Sequence, residues 1–207
     1  IAKTMSRLRS VAFVELDMLV APKVTYDDPY AANQWHLATM HIPQAQELST
    51  GTAIKVAVLD TGIYAAHPDL ADRVILPGYN AVNGGSDTSD IYGHGTAVAG
   101  VIAAIANNGL GVAGIAPDVR VIPVRVTNRS DALASCYDIA RGVVWAANQG
   151  AKVANVSYGV MGCQTLYNAG QYLMGKGGVL TVSAGNENRN YNLADTPYVI
   201  TVAATTS

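Results

Sequence analysis

The chain has 207 residues, half of them apolar and 14% charged, with a formal net charge of −2 and a pI near 6.0. That length suits one domain with a sizeable core, and the small, nearly balanced charge excludes a nucleic-acid footprint and an acidic tail. The longest apolar run, Ala97 to Ala106, falls short of the roughly 18 to 20 residues a bilayer crossing needs and reads as a buried helix.

In chain order, Val11 to Leu19 is strand-like, and Pro22, Pro29 and polar neighbours mark a linker up to Trp35. A domain boundary is predicted between Ala21 and Tyr26. Pro43 to Ser49 reads as a short helix, with proline at its start and Gly51 just past its end. Lys55 to Leu59 is a buried strand ending at Asp60, and Gly95 to Ala106 has helical spacing of small and apolar residues. Then follow a strand at Val119 to Val126, a helix at Ala132 to Gln149 and a strand at Lys152 to Val156. A helix at Thr165 to Met174 precedes strands at Gly178 to Ser183 and Tyr198 to Ala203.

Alternating strands and helices, with near-continuous Val/Ile strands, predict an α/β fold whose parallel sheet is covered on both faces. In such sheets the carboxyl ends of strands carry the chemistry, which singles out Asp60, Ser157 and Asn186. The sequence opens at Ile1 with no initiator methionine or signal-type stretch, and closes at Ser207 just after an apolar run. Both ends are expected to be cuts in a longer product. Cys136 and Cys163 have no metal-type spacing and read either as two buried thiols or as one disulfide.

Asp60, at the end of its strand, could orient a histidine and stabilise its imidazolium form, or could be a solvated strand-end carboxylate. His94 opens a helix between Gly93 and Gly95, where small residues allow the close approach a general base needs; alone, it could equally be structural. Asn186, in Ser183-Ala184-Gly185-Asn186, is a candidate oxyanion donor or a turn residue.

Together these segments resemble the subtilisin-like serine proteases, the subtilases, and within them the thermitase-like branch. The matching pieces are Asp60-Thr61-Gly62 with His67-Pro68-Asp69-Leu70, Gly93 to Gly100, Gly111 to Pro117, Ser157-Tyr158-Gly159, and Ser183 to Asn186. They run in the family's order and spacing from about Asp28 to the end. The resemblance implies a subtilisin-like three-layer fold around a mainly parallel sheet, incomplete at the C-terminus. It also implies an endopeptidase in which Asp60 orients His94, His94 is general base and then acid, and Asn186 donates to the oxyanion. Ser157, Tyr158 and Gly159 would pair with an extended peptide or protein substrate by strand addition. The family's nucleophile lies in a Gly-Thr-Ser-x-Ala motif after the asparagine and has no counterpart before Ser207, so this chain alone is expected to be inactive. The alternative is a pseudoprotease or peptide-binding module that never had the serine.

The resemblance further implies a structural calcium ion held by Asp28, Asp69, Asn108 and the carbonyls of Ile105, Leu110 and Val112, an oxygen set that suits Ca²⁺. A weaker second site is not carried over, because its acidic positions fall on Asn80, Asn83 and Gly85. Cys136 and Cys163 match positions facing each other across a substrate subsite, which implies a disulfide there, with Ile139 and Tyr158 lining the pocket. Ala97 replaces a second histidine of the family motif, and Asp131-Ala132-Leu133 a Gly/Ser-rich substrate edge. Residues 1–24 resemble the tail of an inhibitory propeptide and 25–207 the peptidase domain. A secreted protein, monomeric when complete and bound by its own propeptide, is the expectation. Gly109, Gly111 and Gly114 also match a dinucleotide fingerprint, but that motif needs a strand before it and a helix after it, the reverse of the pattern here.

Overall fold

In the computed structural model, residues 25–160, 162–187 and 196–205 are described. The strand predicted at Val11 to Leu19 therefore lies outside the described residues. A 3₁₀ turn at Ala31–Asn33 leads into helix α1 (Trp35–Thr39) and helix α2 (Ile42–Leu48). The α/β unit follows: β1 (Lys55–Asp60), β2 (Tyr79–Asn80), α3 (His94–Ala103), β3 (Arg120–Arg125), α4 (Cys136–Asn148), β4 (Val153–Gly159), α5 (Gln164–Gly175), β5 (Val179–Ser183) and β6 (Ile200–Val202). The strands form one parallel sheet in the order β2-β3-β1-β4-β5-β6. This is the three-layer α/β arrangement that the strand–helix alternation predicts.

Two-sided burial of β1 and β3 explains why these strands read as unbroken apolar runs, whereas β6 at the edge is exposed along its length. Side chains alternate along β1. Ala57 and Leu59 join a core beneath α4 and α5 with Ile139, Val143, Leu166, Leu173 and Leu180. Val56 and Val58 pack instead with Ala99 and Ala103 of α3, Leu70 and Val121. Burying β1 and β3 this way leaves their polar residues at the strand ends, with Asp60 and Arg125 at the carboxyl edge.

Two helix boundaries differ from expectation. Helix α3 stops at Ala103 because Ala104 turns to ψ 142° and its carbonyl accepts the N–H of Gly114 at 3.1 Å. Gly114 lies so close to the Ala104 backbone that a side chain there would collide with it. Helix α4 begins at Cys136 rather than Ala132. Ser135 caps it, its Oγ accepting the N–H of Asp138 at 3.0 Å. Before the cap, Ala132 adopts φ 59° and Asp131 Oδ1 accepts the N–H of Leu133 at 3.1 Å. Strand β4, predicted to end at Val156, runs on beside β5 to Gly159 through a register shift between Val156 and Gly159.

Candidate active site

Asp60 is the last residue of β1, the strand flanked by β3 and β4, and its side chain is 1% exposed. Its Oδ1 accepts the N–H of Thr61 at 2.7 Å. His94 is the first residue of α3, preceded by Gly93 in a left-handed conformation, φ 95°. Its Nδ1 lies 2.8 Å from Oδ1 and 3.0 Å from Oδ2 of Asp60. Asp60 is thus not a solvated strand-end carboxylate.

A carboxylate can only accept, so this contact places the ring proton on Nδ1 and leaves the lone pair on Nε2. The His94 side chain is 48% exposed, so the basic nitrogen is accessible while the carboxylate is sealed off. A buried acceptor aligned with an exposed base can remove a proton from a nucleophile and stabilise the resulting imidazolium.

Asn186 follows β5 by three residues, after Gly185 at φ 86°. It therefore stands at the same carboxyl edge of the sheet as Asp60. Its side chain is exposed and its N–H donates to Glu187 at 3.0 Å. Ser157, Tyr158 and Gly159 end β4, between β1 and β5. Ser157 is not free, since its Oγ accepts from Asn155 Nδ2 at 3.0 Å.

Tyr158, Gly159 and Ile139 do come together, with Ala134, Cys136 and Cys163, around a groove of about 510 Å³. The Cα atoms of Cys136 and Cys163 are 6.5 Å apart and their sulfurs meet. The Tyr158 hydroxyl donates to the carbonyl of Ala132 at 3.0 Å. Burial, and then the charges of Asp60 and Asp90, push the Tyr158 phenol well above its ordinary range, so it stays a donor.

The calcium candidates form a second constellation. Asp28 and Asp69 are 4% and 3% exposed, both beside the loop after α3. Asp28 accepts the N–H groups of Asn107 at 2.9 Å and Asn108 at 3.2 Å. Asp69 accepts the Val112 N–H at 3.0 Å and the Asn108 side-chain amide at 2.9 Å, and its carbonyl accepts the N–H of Ile105 at 3.0 Å. The Asn108 oxygen accepts the N–H of Leu110 at 2.8 Å. Among the described residues neither carboxylate has an ion-pair partner. Nor do the described residues hold a group of three or more His, Cys, Asp or Glu side chains placed for a metal. Two buried carboxylates met only by neutral donors, and joined through Asn108, fit a hard cation such as Ca²⁺.

The Asn80 loop closes on itself instead. Asn80 Oδ1 accepts the N–H of Val82 at 3.1 Å, Asn83 Oδ1 that of Gly85 at 2.9 Å, and Arg125 pairs with Asp87 at 3.3 Å. The glycines at 109, 111 and 114 lie between α3 and β3, the wrong order for a dinucleotide turn.

Sequence reasoning missed Asp90. Its Oδ1 accepts from the Thr61 hydroxyl at 2.7 Å and from the N–H groups of Tyr92 and Gly93 at 3.0 and 2.8 Å. Its Oδ2 accepts from the Thr96 N–H at 2.9 Å and from the Thr96 hydroxyl. The available signal was an aspartate four residues before the histidine.

Comparison with known proteins identifies relatives of the chain. Residues 51–207 match the model of the subtilase family, peptidase S8. Thermitase of Thermoactinomyces vulgaris is 38% identical over 78% of this chain and 58% of its own length. A thermophilic serine proteinase of a Bacillus species is 34% identical over 99% of this chain and 52% of its own. Among solved structures, a protease of Pseudoalteromonas arctica superposes with a TM-score of 0.70 and 33% identity over 80% of this chain and 60% of that one. Fervidolysin of Fervidobacterium pennivorans gives 0.66 and 32% identity, over 88% of this chain and 28% of that one. The chain spans a little over half the length of the first two relatives.

Proposed function

The chain belongs to the subtilase family, and from that we propose that the protein is a serine-type endopeptidase working by an Asp-His-Ser mechanism. The observation that carries this reading is the 2.8 Å contact between His94 Nδ1 and the buried Asp60 carboxylate. A serine hydroxyl attacks the scissile carbonyl while His94 Nε2 takes its proton. Asp60 holds the Nδ1–H and stabilises the imidazolium, and His94 then protonates the leaving amine. Asn186 donates its side-chain amide to the oxyanion. The serine is proposed to lie in a Gly-Thr-Ser-x-Ala segment after Ser207, so residues 1–207 alone form no acyl-enzyme.

Backbone groups of Ser157, Tyr158 and Gly159 pair with an extended peptide, and the groove lined by Ile139 and Tyr158 takes an apolar or aromatic side chain. Cys136 and Cys163 form a disulfide that fixes this groove, which suits a secreted protein. Among the described residues no helix is long and apolar enough to cross a membrane. Residues 1–24 are the end of a propeptide and 25–207 part of the peptidase domain. Calcium would be held by Asp28, Asp69, the Asn108 amide oxygen and the carbonyls of Ile105, Leu110 and Val112. The ion supplies structural charge neutralisation only.

The test is peptide hydrolysis by the whole gene product and its variants. His94→Ala is expected to lower kcat by about 10⁴-fold or more. Asn186→Ala is expected to lower kcat by roughly 10²- to 10³-fold with little change in KM. A parent that binds peptides through this groove without cleaving them would move the protein to the binding class.

A further inference from the structure

The Asp60–His94 pair spans two separate pieces of chain, the end of β1 and the start of α3, and something must hold them in register. Asp60 and His94 themselves share only the carboxylate–imidazole contact. A second carboxylate ties the same two pieces together. Asp90 grips the α3 side through the N–H groups of Tyr92, Gly93 and Thr96 and the Thr96 hydroxyl. It grips the β1 side through the hydroxyl of Thr61, the residue after Asp60, which is 1% exposed. That hydroxyl also accepts the N–H of Gly95, the residue after His94, at 3.0 Å.

We propose that Asp90 is the positioning residue of the catalytic pair, setting the angle between Asp60 and His94 through Thr61 and the first turn of α3. This rests on the protease reading of that pair. Both oxygens of Asp90 are used as acceptors, and an amide cannot imitate that, because its nitrogen would face donors. The electrostatics agree. Burial is the largest single influence on the Asp90 carboxyl and pushes it up, yet hydrogen bonds from Thr96, Gly93, Tyr92 and Thr61 outweigh it and hold it at about 2. Asp90 is thus a constant anion and acceptor wherever His94 could work as a base.

The experiment is proton NMR of the whole gene product labelled with ¹⁵N-histidine, read at the His94 Nδ1–H. The parent protein is expected to show this proton at low field and slowed in exchange by Asp60. Asp90→Asn and Thr61→Val are each expected to move it upfield and speed its exchange at least ~10-fold, since a hydrogen-bonded link worth about 1.4 kcal/mol is lost. Thr61→Ser, which keeps the hydroxyl, is expected to retain the parent signal. The effect of the double variant is expected to fall short of the sum of the two, because both changes cut the Asp90–Thr61 hydrogen bond. Thr61→Val is close to isosteric and decides the question if Asp90→Asn fails to fold. A parent-like Nδ1–H in folded Asp90→Asn or in Thr61→Val overturns the positioning role alone. Its absence from the parent overturns the Asp60–His94 pairing, and the proposal with it.

Discussion

Gly95 meets the carbonyl oxygen of Gly62 so closely that a methyl group on its α-carbon would drive into it, and would also touch Cβ of Asp60. This is where the first turn of α3 rests on the loop leaving β1. Gly95→Ala is therefore expected to force the helix start away from Asp60, at a cost typical of overpacking, about 1 to 3 kcal/mol. The check is the denaturant midpoint together with the His94 Nδ1–H signal. An unchanged midpoint would show that the contact relaxes freely.

Calcium provides the second prediction. Asp28 and Asp69 both anchor the loop after α3, and the Tyr30 N–H adds a hydrogen bond to the carbonyl of Gly111 at 3.0 Å. A cation bound only to the folded chain raises stability by mass action, about 2.7 kcal/mol at a hundred times its dissociation constant. Adding Ca²⁺ to chelator-treated protein is expected to raise Tm, and Asp69→Asn to abolish most of that rise. Mg²⁺, which demands a smaller and stricter octahedral shell, is expected to substitute poorly. Equal melting curves with Ca²⁺ and with chelator would remove the ion from the structure.

How much of this was legible beforehand depended on how each signal is encoded. The central strands were readable because burial on both faces makes them apolar, as Val56 to Leu59 show, whereas the two-residue β2 leaves no such run. Asp60 and His94 stood out as polar groups at a strand end and a helix start. Helix α1 was not legible: it has five residues and buries only Leu37, too little to impose a period. The start of α4 was misread because Ala132, Leu133 and Ala134 favour helix, and nothing local reveals that Ala132 takes φ 59°. Asp90 sits in a polar run that reads as loop. Its role depends on Thr61, which only the folded sheet brings to it.

The cysteine pair yields a third prediction. The proposed Cys136–Cys163 bond closes a loop with a sequence separation of 27. In the chain-entropy account a loop of that size is worth about 3 to 4 kcal/mol. Thiol titration of the unfolded, unreduced protein is expected to find no free thiol at either position, and two after reduction. Reduction is expected to lower Tm and loosen the groove between Ala134 and Cys163. Two thiols before reduction would rule the bond out and leave Cys163 as an N-cap only, its sulfur 3.4 Å from the Leu166 N–H.

The fourth prediction concerns acid. Asp90 titrates at about 2 in the folded chain against an ordinary value of 3.8. A carboxyl lowered by folding stabilises the native state fully above its unfolded value and loses that contribution as pH falls through its folded value. The stabilisation from Asp90 is thus expected to be constant above about pH 5 and to fade between about pH 4 and pH 2. Below that window a protonated Asp90 offers one donor and one acceptor oxygen, much as an asparagine does. The difference in Tm between parent and Asp90→Asn should therefore be level near neutrality and shrink across the acid window. Other carboxylates titrate in the same range but are common to both proteins and cancel. A difference that stays constant down to pH 2 would mean that Asp90 contributes through shape alone, with its charge playing no part in holding the start of α3.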